Sequence, residues 1–263
     1  MYMFSNEARC RYGQPQLAEV ICQLRFPEIL SIQANLPAAF QDAIRDQFPV
    51  YLRRQELALP SVANLSGNLT LQKKEPVLNH QFATPDGVWR VNLTSKFISL
   101  TCSRYSCWEA FAAHLDKPLA AFIQTYQPAY FERVGLRYLN FISRVQLGLE
   151  GIPFSRLIAP CYLGLLAEED VAEHSVSRST VDCELPIQNG CRIKLHAGPG
   201  KVKRGNKEDP EVKFIFDQDL FQNGPVQVNR IPGTLQSLHT QAFSVFRGAI
   251  TEKLHAAMEP EDI

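Results

Sequence analysis

The run Arg133-Val134-Gly135-Leu136-Arg137 holds the residue types best suited to direct chemistry. Read as a strand, it puts Arg133, Gly135 and Arg137 on one face, with Val134, Leu136 and Tyr138 on the other. Two guanidiniums about 6.6 Å apart, at ~3.3 Å per residue, flank a glycine that permits close approach. Such a pair can clamp a phosphate or carboxylate through forked hydrogen bonds. The ordinary alternative is that both arginines pair with acidic neighbours across a sheet. Asp217-Gln218-Asp219 follows the apolar run Phe214-Ile215-Phe216 and offers Asp217 and Asp219 to a divalent cation. No glycine-serine element of a nucleotidyltransferase lies upstream, and Asp-x-Asp at a strand end also caps turns. If these aspartates face Arg133 and Arg137, both motifs reduce to one structural ion-pair network.

A third cluster is basic. Arg192 and Lys194, then Lys201, Lys203, Arg204 and Lys207, surround a glycine-rich stretch from Gly198 to Gly205. It matches neither a phosphate-binding Walker loop nor a dinucleotide fingerprint. A hairpin tip of this kind can follow a nucleic-acid backbone. Glu208, Asp209 and Glu211 follow at once, which equally suits a solvated exposed loop. Cys183, Cys191 and His196 lack a zinc spacing. His114 and His239 each lie beside an apolar helical stripe, where a packing role is the simpler reading.

The elements that must carry these residues are legible. Ala18, Val20, Cys22, Leu24 and Phe26 alternate with polar residues, predicting a strand with one buried face. Asn35 before Leu36-Pro37 predicts a helix start, with Phe40 and Ile44 on its apolar face and Pro49 beyond its end. From about Val50 to Tyr105 the pattern is strand and turn, with Pro85-Asp86-Gly87 as a tight turn. Ser106 and Glu109 fit a capping box ahead of the stripe Trp108, Phe111, Leu115, Phe122 and Tyr126, which Pro118 should kink or Asp116 recap. An extended segment runs from Phe131 to Val145, and a short helix is expected over Phe154 to Leu166. Strands are expected near His174–Leu185, Gly190–Ala197 and Val212–Asp217, then a helical stripe from Leu235 to Leu254.

Strands followed by a long amphipathic helix, twice over, predict an α+β fold of two similar lobes. Each is an antiparallel sheet with one long helix, arising from an internal duplication: 1–150 and 151–263, closely packed.

Pro15–Phe26, Trp89–Phe111, Arg133–Asn140 and Leu238–Thr251 resemble, in order, the shared stretches of a sporadically distributed bacterial family of uncharacterised proteins of this size. Tyr105–Phe111, Arg133–Asn140 and Phe216–Asp219 carry the resemblance most specifically. It implies a stand-alone bacterial protein and assigns no chemistry to any residue.

Composition narrows the function classes. The 263 residues carry 27 basic and 27 acidic side chains, so no global field draws the chain to nucleic acid or an anionic membrane. Seven irregularly spaced cysteines do not form a disulfide framework. The N-terminus lacks the apolar core of a secretion signal, and no stretch is apolar enough to span a bilayer. The Asn-x-Ser/Thr triplets at Asn64, Asn68 and Asn92 are then incidental, and a cytoplasmic setting is expected. The expected function is a non-enzymatic ligand-binding or interaction module with no cofactor. One alternative is a nucleic-acid-associated protein or metal-dependent nuclease-like enzyme built on the basic hairpin and the aspartate pair. A third is an enzyme whose phosphate-bearing substrate meets Arg133 and Arg137. The partner is then an anionic ligand or nucleic acid, and a homodimer stays open.

Overall fold

The structure, a computed structural model, describes residues 3–56, 61–65, 68–72, 77–204 and 207–262, with side chains described outside 56–76 and 204–207. Its strands are β1 (Cys10–Tyr12), β2 (Leu17–Arg25), β3 (Val50–Glu56), β4 (Ser61–Leu65), β5 (Asn68–Gln72), β6 (Val77–Ala83), β7 (Trp89–Leu93) and β8 (Phe97–Cys102). After these come β9 (Phe131–Ile142), β10 (Val181–Pro186), β11 (Arg192–Arg204), β12 (Lys207–Val226) and β13 (Pro260–Asp262). The helices are α1 (Leu30–Ala34), α2 (Ala38–Ile44), α3 (Trp108–Tyr126), α4 (Ile231–Ala249) and α5 (Glu252–Ala257).

Nine strands form one sheet in the order β10-β11-β12-β9-β2-β8-β7-β6-β3. Every neighbouring pair in it is antiparallel. Alternation in β2 buries Val20, Cys22 and Leu24 completely while Arg25 is exposed. In β9 it buries Val134, Leu136, Tyr138 and Ile142 on the same inner face. The helices α3 and α4 cover that face. Phe122 of α3 meets Phe26 at 4.6 Å between ring centres, and Phe246 of α4 meets Phe216 of β12 at 5.9 Å. The buried side chains of both chain halves join in a single apolar core.

This is a mixed α+β fold with one large antiparallel sheet and few helices. The strands of the two halves share that sheet instead of forming separate ones, because β2 pairs with β9 from Leu17–Asn140 to Arg25–Arg133. A period-two pattern fixes which face is buried but leaves the choice of neighbouring strand open.

Several local expectations are corrected. Asn35 closes α1 instead of opening a helix, and α2 begins after Pro37. The capping box at Ser106 does not form; Cys107 occupies the cap position in extended backbone, with no side-chain hydrogen bond to the helix. Pro118 sits inside an unbroken α3, where its missing amide removes one helix bond without ending the element. Three short 3-10 turns between Phe154 and Ala167 replace the predicted short helix. The strand expected from His174 begins only at Val181. The last stripe breaks at Ile250, and Thr251 caps α5 by accepting a hydrogen bond from the Leu254 amide.

Candidate functional site

Arg133, Gly135 and Arg137 do share the sheet face opposite the helices, and Asp217 and Asp219 of β12 lie beside them. Nη2 of Arg133 donates to both carboxylate oxygens of Asp219, at 2.7 and 2.8 Å. The same guanidinium lies 4.4 Å over the Phe221 ring. Nε of Arg137 donates to Oδ1 of Asp217 at 2.7 Å, and its Nη2 donates to the second oxygen. Asp217 thereby holds the Arg137 guanidinium still more firmly protonated. A Cβ at Gly135 would stand 2.2 Å from Nη1 of Arg133. The missing side chain at Gly135 lets Arg133 lie along the strand face and reach Asp219 on β12. Both guanidiniums and both carboxylates have one another as partners. Among the described residues, no group of three or more His, Cys, Asp and Glu is gathered to hold a metal ion.

The basic cluster is also largely paired. Arg192 bonds Glu184 at 2.9 Å, Lys201 bonds Glu208 at 3.1 Å, and Lys203 stands 3.6 Å from the same glutamate. Lys194 lies opposite Asp219 on the neighbouring strand. The side chains of Arg204 and Lys207 lie outside the described residues. His196 pairs with Asp182 through Nδ1 at 2.6 Å, on the opposite sheet face from Cys183, and Cys191 is buried before β11. The three residues do not converge.

A different set of residues builds a site. On the inner face, pairing places Tyr138 of β9 directly opposite Gln218 of β12. Asn140 lies two residues along the same strand face and is pinned by donating to the Phe216 carbonyl at 3.2 Å. Above them, the start of α3 and the middle of α4 leave a cavity of about 420 Å³, within the range of small-ligand sites. Trp108 of α3, His239, Ala242 and Phe246 of α4, and Tyr12 of β1 wall it, and β13 closes its rim through pairing with β1. The cavity therefore lies where the helices of the two chain halves meet over the central strands.

Its polar groups are held in fixed relation. Tyr138 shares a buried 2.7 Å hydrogen bond with Nδ1 of His239. Burial, reinforced by the neighbouring Tyr105 phenol, pushes the Tyr138 hydroxyl well above its ordinary pKa, so the proton stays on it. The protonated Tyr138 hydroxyl donates to Nδ1 or accepts from it according to the His239 tautomer. Burial, assisted by the nearby Arg9 charge, pulls His239 down to about 4. Trp108 stacks on the imidazole at 4.7 Å and 9° and donates its indole N–H to Gln236 at 2.7 Å. Two lining residues each hold one buried atom without a hydrogen-bond partner, Nε2 of His239 and Oε1 of Gln218. The two residues are only 8% and 2% exposed. A buried orphan of this kind costs roughly 1–3 kcal/mol, so it is retained only where something offsets it.

Sequence reasoning passed over most of this wall. Gln218 was visible only as the residue between two aspartates, yet the pleat turns it away from them. Its signal was a polar residue in the apolar row Phe214, Phe216, Leu220. Tyr138 and Asn140 break the apolar row of β9 in the same way. His239 stood beside its stripe and was assigned to packing. Nothing local marks Arg9, whose place depends on β1 pairing with the far end of the chain. No family model and no curated protein matches this chain. Among the described residues no helix is long and apolar enough to cross a membrane.

Proposed function

We propose that this chain is a non-enzymatic ligand-binding module whose small-molecule ligand occupies the cavity between α3, α4 and the central strands. The observation that carries this reading is a cavity of about 420 Å³ walled by aromatic side chains and by Asn140, Gln218 and His239, the last two each holding a buried polar atom without a partner. Oε1 of Gln218 accepts a hydrogen, and Nε2 of His239 donates or accepts according to its tautomer. Binding suits the wall better than turnover. A general base working near neutrality needs a pKa close to 7, whereas His239 lies near 4. The Tyr138 phenol holds its proton too tightly to act as a nucleophile.

The wider setting is part of the same proposal. All seven cysteines are free, which supports a reducing, cytoplasmic compartment. The resemblance in Tyr105–Phe111 and Arg133–Asn140 supports membership of the sporadic bacterial family. An internal duplication is supported by chain order: β2, the meander β6-β7-β8 and α3 are matched by β9, the meander β10-β11-β12 and α4, about the β2–β9 pair.

The test uses a Trp89→Phe background, in which Trp108 is the remaining tryptophan. Fragment-sized compounds are screened for change in Trp108 emission and for a rise in melting temperature. Binders should emerge that lose affinity at least tenfold in Ala242→Leu, which fills the cavity, and in Ser106→Phe, which obstructs its exposed mouth. A screen in which nothing perturbs Trp108, or in which neither variant weakens binding, would overturn the reading. RNA or DNA binding at low salt that fades as salt rises would move the function to the basic hairpin.

A further inference from the structure

The charges at the cavity rim are unequal in their freedom. The formally charged lining residues are Arg9, Arg11 and Glu261; Arg11 lies opposite Glu261 in the β1–β13 register, half exposed, with its guanidinium 3.9 Å from Glu109. Arg9 is different. Its side chain is 26% exposed, and its ion pair is with Glu109 at 3.1 Å, a side chain 59% exposed. An ion pair with so exposed a carboxylate is weak, so another anion can take its place at little cost. Inward of Arg9 the walls are aromatic: Tyr105, Trp108 and Tyr138 from the first half and the strands, Phe243 and Phe246 from α4. Tyr105 stands edge-on to Tyr138 at 5.9 Å, while Trp108 and the His239 imidazole lie parallel, so flat faces and ring edges border one space. Aromatic walls attract cations as well, but a guanidinium in the lining repels them.

We infer that the occupant of this cavity is a planar aromatic carboxylate, its ring among the aromatic walls and its anionic group on Arg9 in place of Glu109. The inference rests on the reading of the cavity as a ligand site. The influence of Arg9 reaches the cavity floor, where it adds to burial in disfavouring a protonated His239. Asn140, Gln218 and His239 then supply the polar part of the wall around the ring. Glu109 acts as a resting counter-ion that the ligand displaces.

Calorimetric titration with naphthalene-2-carboxylate, naphthalene-2-carboxamide and 2-naphthylmethylammonium tests this on the full chain. The carboxylate should bind at least tenfold more tightly than the amide, and the ammonium should not bind measurably. Arg9→Gln should abolish the preference for the carboxylate while leaving amide binding unchanged. Glu109→Gln, which removes the competitor, should tighten carboxylate binding several-fold and leave the amide alone. Should Arg9→Gln or Glu109→Gln unfold the chain, raised salt serves instead and should weaken the carboxylate selectively. Equal binding of carboxylate and amide, or preference for the ammonium, overturns the ligand class while the cavity reading stands. If none of the three binds and the fragment screen also finds nothing, the cavity reading itself fails.

Discussion

His239 links the cavity floor to stability. Its pKa in the fold, about 4, lies below the ordinary histidine value of 6.5. Between pH 6.5 and about 4 the unfolded chain therefore takes up a proton that the folded chain refuses. Stability should fall as pH drops through that window and be fully present above it, with a contribution of about 3 kcal/mol at most at ~1.4 kcal/mol per unit. His80 and His255 are shifted downward by burial as well and act with the same sign. Urea unfolding at pH 7.5 and 4.5 should show a clearly smaller loss for His239→Gln than for the parent. Equal losses in the two proteins would remove His239 from the account. Gly135 supports a second test on the opposite sheet face. Gly135→Ala should push Arg133 off Asp219 and Phe221 and cost about 1–2 kcal/mol, the usual size of a small overpacking strain. In an Arg133→Ala background the same change should be nearly neutral, so a double-mutant cycle isolates the path of Arg133 along the strand face.

Among the elements, the junction between α4 and α5 depends on one hydroxyl. Thr251 accepts from the Leu254 amide at 3.4 Å and donates to the Arg156 carbonyl at 2.9 Å, tying α5 to the 3-10 turns across the chain. Thr251→Ala should cost about 1–2 kcal/mol in chemical denaturation, the range of a lost cap plus a hydrogen bond. Thr251→Ser should retain most of that stability, and an equal loss in both variants would assign the effect to the methyl group. The elements that sequence pattern identifies well are those whose local period matches a single buried face. The strand through Val20, Cys22 and Leu24 and the stripe through Trp108, Phe111 and Leu115 are of this kind. The turns from Phe154 to Ala167 were misread because their conformation is set from outside: Phe154 is fully buried and packs on Phe214 at 5.4 Å. The break at Asn35 was misplaced because Asn, Leu and Pro end one short helix and open the next within three residues.

For the molecule as a unit, the single sheet has a thermodynamic consequence. Strand β9 lies between β2 from the first half and β12 from the second, and α3 and α4 bury their stripes in one core. Neither half can lose its packing without exposing the inner face of the other. Urea unfolding followed by tryptophan emission, which reports the α3 side, and by far-ultraviolet circular dichroism should give coincident transitions. Two separated transitions would show that the halves unfold independently.

Short-range pattern alone was enough to indicate an α+β chain, the faces of its main strands and helices, and the mutual saturation of Arg133, Arg137, Asp217 and Asp219 as one of two readings. Those properties repeat every two or every 3.6 residues, so neighbours in the chain carry them. The shared sheet, the resolution of the ion-pair alternatives and the cavity arose only when distant segments met. Tyr138 and His239 are 101 positions apart, and nothing near either names the other as its partner. A pleat or helical period tells a side chain which way to face, but what it faces is chosen by long-range strand pairing and the burial of apolar surface it permits.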